Sequence, residues 1–373
     1  MSTWILRADG PPPPTATDRV AVKDLVDVAG LPTTSGSAAV AATAVPAAAD
    51  AACLAPVRAS GAWLAGKANL HELAFGGTGI NPWFGTPTNP LDPTRVPGGS
   101  SSGCAVAVAV GEADWAVGTD SAGSIRTPSA CCGTVGLKTT WGRIPLDGIR
   151  PLAPTLDTVG PMGRDVAATA RGLRALRPDL DLAVEAAPVV GRVRLEGTDP
   201  VVDAAIDALL AAAGLAVVEV ALPGWSHADQ AARTVLFGEA WQVNRALVAA
   251  DPAHVGADLH ERFEVGAAIH PDDLDDARHR RPWWRGELAQ AFRRAPVLVL
   301  PTLRTLAPTL DDPAPDTRYA NAPVNLAGHP SLALPAPTGG HLPASCQLVG
   351  PDDGEPLLLA TGAVLEAAAA TLG

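Results

Sequence analysis

The sequence predicts an α/β fold whose sheet is at least partly parallel, on three observations. Between Val189 and Leu222 a strand-like run, a helical run and a second strand-like run follow one another, which is the pattern of a β-α-β unit. Further strand and helix candidates alternate on either side of it. Hydrophobic residues make up 47% of the 373 residues, enough for a large core.

Taken in order, Ala47 to Leu54 is Ala-rich between Pro46 and Pro56 and reads as a short helix bounded by prolines. Residues 75–103 supply Gly, Pro, Asn, Thr and Ser over nearly thirty positions, a long loop of the kind that carries function. Cys104 to Val110 is a helix of small residues, Asp114 to Thr119 a short strand, and Asp165 to Leu176 a helix by its apolar spacing. In the β-α-β unit, Arg192 to Leu195 and Leu215 to Leu222 are the strands, and Pro200 to Ala213 is the helix after an Asp199-Pro200 start. Residues 223–295 concentrate Trp, His and Arg and read as variable helices outside the sheet, part of a substrate entrance. Pro296 to Pro301 is an apolar strand and Glu355 to Leu372 a terminal helix.

Composition excludes several classes of function. With 27 Lys and Arg against 39 Asp and Glu, the formal net charge is −12, so no partner is bound mainly through a phosphate backbone. Met1 to Pro14 lacks the apolar core of a signal peptide, and the Ala/Val-rich tract Ser37 to Pro56 is broken by Pro46 and Asp50, too short to span a bilayer. The five cysteines (Cys53, Cys104, Cys131, Cys132 and Cys346) are odd in number and show no C-x-x-C spacing, which argues against a disulfide framework or a zinc site. A reduced, cytoplasmic setting fits best. No metal or other cofactor, no membrane and no direct nucleic-acid contact are expected, and the chain is expected to act as a monomer or homodimer.

Three stretches carry chemistry. Gly99-Ser100-Ser101-Ser102-Gly103 matches G-x-S-x-G, but Pro90, Pro93 and Pro97 precede it and cannot lie in the core strand that a hydrolase nucleophile elbow requires. Gly118 to Arg126 (GTDSAGSIR) reads as a strand end, a Gly-containing loop and a helix start, and successive N–H groups of such a loop can converge on an anion or oxyanion. Val20-Ala-Val-Lys23-Asp24 sets a lysine inside an apolar run. Buried, it is either a structural ion pair or a base with a lowered pKa, and read alone the ion pair prevails.

Together these stretches resemble the amidase signature family of serine hydrolases. The resemblance runs strongly through Val20 to Ser37, Gly66 to Pro90, Pro97 to Val106 (PGGSSSGCAV) and Val117 to Lys138, continues through Gly142 to Ile144 and Leu156 to Pro161, and is looser in the later pieces around residues 297–302, 322–328 and 347–350. It implies one α/β domain over residues 1–373, with residues 1–19 a short N-terminal extension and a mixed, largely parallel twisted sheet surrounded by helices. It also implies a Ser-Ser-Lys triad: Ser124 as nucleophile, Ser100 as the bridging serine after a cis Gly99–Ser100 bond, and Lys23 as base. The oxyanion would be held by the N–H groups of Ser121, Ala122, Gly123 and Ser124.

The chemistry explains those residue types. Neutral Lys23 takes a proton through Ser100 from Ser124, which attacks a carboxamide carbonyl and becomes acylated. This requires the lysine pKa to fall by roughly 3 units from about 10.4. Asp120 and Arg126 read as a structural pair ordering the loop, Ser101 as its hydrogen-bonding support, and His71 as a satisfied or exposed histidine. Many family members have Thr-Gly-Gly-Ser where this chain has Ser121-Ala122-Gly123-Ser124, so Ala122 requires a negative φ. The short chain, and the text from Gly85 to Gly103, are similar to the compact branch of indole-3-acetamide hydrolases, a pointer to small or aromatic carboxamides. Two competing functions are the glutaminase subunit of a tRNA-dependent amidotransferase, which the short chain weighs against, and a non-catalytic scaffold, against which stand the intact Lys23, Ser100 and Ser124.

Overall fold

A computed structural model describes residues 2–312 and 320–372. Among these residues the strands are β1 (Trp4–Arg7), β2 (Arg19–Lys23), β3 (Trp63–Ala68), β4 (Trp115–Asp120), β5 (Val135–Lys138), β6 (Thr158–Gly163), β7 (Val189–Arg192), β8 (Ala216–Glu219), β9 (Val297–Pro301), β10 (Ser331–Ala336) and β11 (Ala344–Val349). The helices are α1 (Ala38–Ala41), α2 (Leu54–Ala59), α3 (Ser102–Ala109), α4 (Arg126–Cys132), α5 (Val166–Leu176), α6 (Pro200–Ala212), α7 (Trp225–Ala250), α8 (Ala257–Ala267), α9 (Pro271–His279), α10 (Arg281–Arg294), α11 (Ala322–Ala327) and α12 (Glu355–Ala369). All strands join one sheet in the order β1-β3-β2-β4-β6-β5-β10-β11-β9-β7-β8. Residues 4–7, within the stretch read as an extension, are thus its edge strand.

Helices cover both faces, and the strands show it by their alternation. In β9, Val297 and Val299 belong to an apolar cluster with α6 and α12, whereas Leu298 and Leu300 belong to one with α7 and α10, the period of two expected of a strand buried on both faces. Capping fixes two of these helices. The Asp165 carboxylate accepts from Ala168 N at 2.7 Å to start α5, and Asp199 accepts from Val201 N at 3.0 Å ahead of Pro200 in α6, so each satisfies an otherwise orphaned N–H.

The sheet is mixed, as expected, but not largely parallel. β2 pairs in parallel with β3 and β4, and β7 with β8 and β9; the six other pairings, β1–β3, β4–β6, β5–β6, β5–β10, β10–β11 and β9–β11, are antiparallel. The cause is β6, which inserts between β4 and β5 antiparallel to both, and the β10–β11 hairpin, which joins the two parallel blocks.

Two element assignments are corrected. The helix expected over 47–54 does not form before Leu54; a bridge and then bends and turns precede it: Ala47 pairs with Ala29 and Pro46 with Pro32, and the Asp50 carboxylate accepts from Ala29 N. These cross-chain bonds outweigh the intrinsic helix preference of alanine, and the helix starts at Leu54 with Pro56 in its first turn, where a missing N–H costs nothing. The first strand of the β-α-β unit lies at Val189–Arg192 rather than 192–195. It ends where Arg192 turns to Asp203 and Asp207 on α6 and where Arg194 reaches the surface to meet Asp207 and Glu219.

Candidate active site

β2 and β4 are adjacent and parallel, and their C-terminal ends carry Lys23 and Asp120. Crevices at the C-terminal ends of parallel strands are where α/β sheets place ligands. Lys23 is 0% exposed, because β2 is buried between neighbours on both sides. Its Nζ donates to Ser100 Oγ at 2.7 Å and contacts Thr119 Oγ1 at 2.8 Å. Burial, the largest influence, lowers its pKa from 10.5 to about 7, even though Cys104, Asp120 and Asp157 pull the other way. A lysine so placed can act as a base near neutral pH.

Ser100 follows a cis Gly99–Ser100 bond in the Gly-rich loop that leads into α3. The loop is packed too closely for side chains: a Cβ on Gly99 would lie 2.7 Å from Gly79 N, and one on Gly79 would lie 2.4 Å from Gly98 O. Ser101 sits behind it and donates its N–H to Ser124 O at 3.1 Å and its hydroxyl to Thr119 O at 3.4 Å. It therefore ties the Ser100 loop to the Ser124 loop.

The segment 121–125 joins β4 to α4 and is ordered from within. The Asp120 carboxylate accepts from Gly123 N at 2.7 Å, Ile125 N at 3.1 Å and the Arg126 guanidinium at 3.0 Å. Both side chains of the pair are fully buried. Burial alone would raise the Asp120 pKa, but the Arg126 charge and hydrogen bonds hold it well below the usual carboxylate range. Arg126 donates in turn to Asn325 Oδ1 and Gln347 Oε1, so the pair is satisfied on all sides as a buried ion pair must be.

Gly123 has φ +116°, and a Cβ there would meet Asn321 at 2.7 Å, so both the torsion and the space require glycine. Ala122 is not among the positive-φ residues, which is the condition its Cβ imposes. The N–H of Gly123 is engaged by Asp120, whereas those of Ser121, Ala122 and Ser124 meet no acceptor among the described residues. Ser124 itself is 9% exposed. It lines a space of about 10 Å³, room for a single water, together with Phe75, Ala122, Leu152 and Leu236.

Several residues at the site escaped the sequence reading. Thr119 contacts Lys23 Nζ, and buried Asp157 accepts the Ser121 hydroxyl while capping the N–H groups of Leu152 and Ala153. Lys67 and Lys138 are fully buried like Lys23. Lys67 pairs with Asp24 at 2.9 Å, and Lys138 donates to the carbonyls of Thr139 and His329. The signal that singled out Lys23, a lysine in an apolar strand, was present for both. His71 is buried and pairs with Asp258 at 3.0 Å, a satisfied histidine as expected. All five cysteines are buried free thiols. Among the described residues no acidic, His or Cys cluster is arranged to hold a metal ion, and no helix is long and apolar enough to cross a membrane.

Residues 19–359 match the family described as Amidase. A glutamyl-tRNA(Gln) amidotransferase subunit of Halobacterium salinarum is 33% identical, with 96% of this chain and 96% of that protein covered. The 2-amino-5-chloromuconic acid deaminase of Comamonas testosteroni is also 33% identical, over 93% of this chain and 80% of that protein. A crystal structure of an amidase superposes with a TM-score of 0.87 at 32% identity, covering 95% of this chain and 85% of that one. With its fold, its matched span and its relatives in agreement, the chain belongs to the amidase signature family and is an enzyme acting on amide carbon–nitrogen bonds.

Proposed function

We propose that the protein hydrolyses a small or aromatic carboxamide to the carboxylic acid and ammonia, with Ser124 as nucleophile, Ser100 as bridging serine and Lys23 as base. The observation that carries this reading is the 2.7 Å contact from Lys23 Nζ to Ser100 Oγ, made where burial brings the lysine pKa to about 7. Near neutral pH much of Lys23 is therefore free amine, able to accept the Ser124 proton by way of Ser100. Ser124 Oγ then adds to the carbonyl carbon, and the oxyanion is held by the free N–H groups of Ser121, Ala122 and Ser124. Gly123 joins them only by releasing Asp120. The C–N bond breaks as Ser100 passes its proton to the leaving nitrogen and Lys23 reprotonates Ser100. Water then adds to the acyl-enzyme and releases the acid.

Ser124→Ala protein is expected to lose at least about 10³-fold in kcat on a panel of carboxamides, and a fluorophosphonate probe is expected to label wild type at Ser124. Turnover by Ser124→Ala at the wild-type rate would sink the assignment.

A second reading is favoured by the amidotransferase relative from Halobacterium salinarum, aligned over nearly its whole length: a glutaminase that passes ammonia to a partner. Gel filtration of cell extract with RNA detection separates the two. The glutaminase elutes with a tRNA-binding partner, and the free-standing amidase elutes without RNA.

A further inference from the structure

Beside the catalytic loop lies a cavity of about 270 Å³ whose wall includes Thr119, Ser121, Leu146, Ile149, Leu152 and Arg150. Lys23, Ser100 and Ser124 do not line it, but residues in contact with the reacting groups do, on two sides. Thr119 holds Lys23 Nζ, and Leu152 also lines the water-sized space at Ser124. The body of a substrate therefore has room here and not directly above Ser124, and the volume suits a small molecule. The wall is mostly apolar, with one cationic group, Arg150, and one carboxylate, Asp157.

That guanidinium faces the cavity with little to hold it. Several buried or half-buried arginines have carboxylate partners: Arg126 has Asp120, Arg192 has Asp203 and Asp207, and Arg278 has Glu239; half-buried Arg281 instead donates to Thr155 O and lies over the Trp141 ring. Arg150 has no carboxylate partner among the described residues. Its side chain makes one hydrogen bond, to the neutral Asn244 Oδ1 at 3.2 Å, and its Nε is shielded from solvent with no partner. Two carboxylates face the same region, and both are engaged elsewhere. Asp157 is taken up by Ser121, Leu152 N and Ala153 N, and Asp27 by the Thr33 hydroxyl. A half-buried, unpaired guanidinium is costly unless an anion arrives to satisfy it, and its planar fork matches a carboxylate.

We propose that Arg150 is a specificity-determining residue and that the substrate is a small carboxamide carrying a carboxylate, which Arg150 binds while the amide carbonyl reaches Ser124. The proposal rests on Ser124 being the nucleophile, and two measurements keep the two ideas apart. The first compares kcat/KM for malonamate, succinamate and glutaramate with that for the neutral propionamide, butyramide and valeramide. Wild type is expected to favour at least one amido acid over its neutral counterpart by about tenfold or more. Arg150→Gln is expected to bring that ratio close to one, chiefly through KM, and Arg150→Lys to keep part of it. The second is calorimetric titration of Ser124→Ala protein with the same amido acids, which reads binding whether or not Ser124 is the nucleophile. Binding lost in the Ser124→Ala, Arg150→Gln double variant supports the proposal. A ratio unchanged by Arg150→Gln, a wild-type preference for the neutral amides, or Ser124→Ala binding that is absent or indifferent to Arg150 overturns it.

Discussion

Lys23 shows how one side chain can be both a structural liability and a candidate for the base of the proposed reaction. Its aliphatic stem continues the apolar run of β2, and among the described residues its nitrogen meets two hydroxyls and, at 3.4 Å, the carbonyl of Thr119. Among the described residues no carboxylate contacts it directly, so desolvation prevails and the neutral amine becomes accessible near neutral pH. For the proposed hydrolysis the sign follows: the active form is unprotonated, so kcat/KM falls as pH drops through about 7. A pH–rate profile should show one acid limb near that value. Thr119→Val tests the cause. Its hydroxyl accepts a hydrogen bond that favours the ammonium form, so removing it should move the acid limb to lower pH. The alkaline plateau should drop by about tenfold as Lys23 loses its alignment. A limb that stays in place would mean that another group is titrating.

At the scale of elements, the β4–α4 turn stands on the Asp120–Arg126 pair, and the pair stands on distant partners. Arg126→Met leaves the Asp120 carboxylate buried without its cation, a change that costs about 3 to 5 kcal/mol. A urea titration should show it as a lower midpoint, and loss of the loop should lower activity with it. The sequence displayed this turn fully because its parts are local: Asp120, Gly123, Ser124 and Arg126 lie within one short loop, and an acid and a base flanking a Gly-containing segment announce a clamp. What it could not display is that Asn325 and Gln347 complete the clamp from 199 and 221 positions away, or that Glu239 on α7 grips Thr155 and so steadies the segment whose Asp157 holds Ser121. Such contacts are set by chain tracing, not by local pattern. The misplaced helix at 47–54 has the same origin, since alanine propensity is local and the bridge to Ala29 is not.

Across the whole molecule, three lysines stand among 27 basic residues, and all three are fully buried; every Lys or Arg side chain at the surface is therefore arginine. Burial lowers the pKa of each lysine, to about 7 for Lys23 and Lys138. Burial displaces the five thiols the other way, four of them to about 12 from an ordinary 9.0 and Cys132 well above 9.0. The two sets impose opposite slopes on stability. Between about 7 and 10.5 the unfolded chain holds lysine protons that the folded chain has released, so raising the pH favours the fold. Above 9.0 the unfolded thiols ionise while the folded ones stay protonated, so raising the pH favours unfolding. Five thiols outweigh three lysines once both titrate, which sets a stability maximum near pH 9. Urea midpoints measured under reducing conditions should climb from pH 7 to about 9 and decline beyond it. Lys138→Met should flatten the climb, because methionine has no proton to lose, and Cys346→Ala should soften the decline. A midpoint that is level from pH 7 to 9 in the wild-type protein would show that the buried lysines keep their protons on folding, and the proposed base at Lys23 would fall with that result.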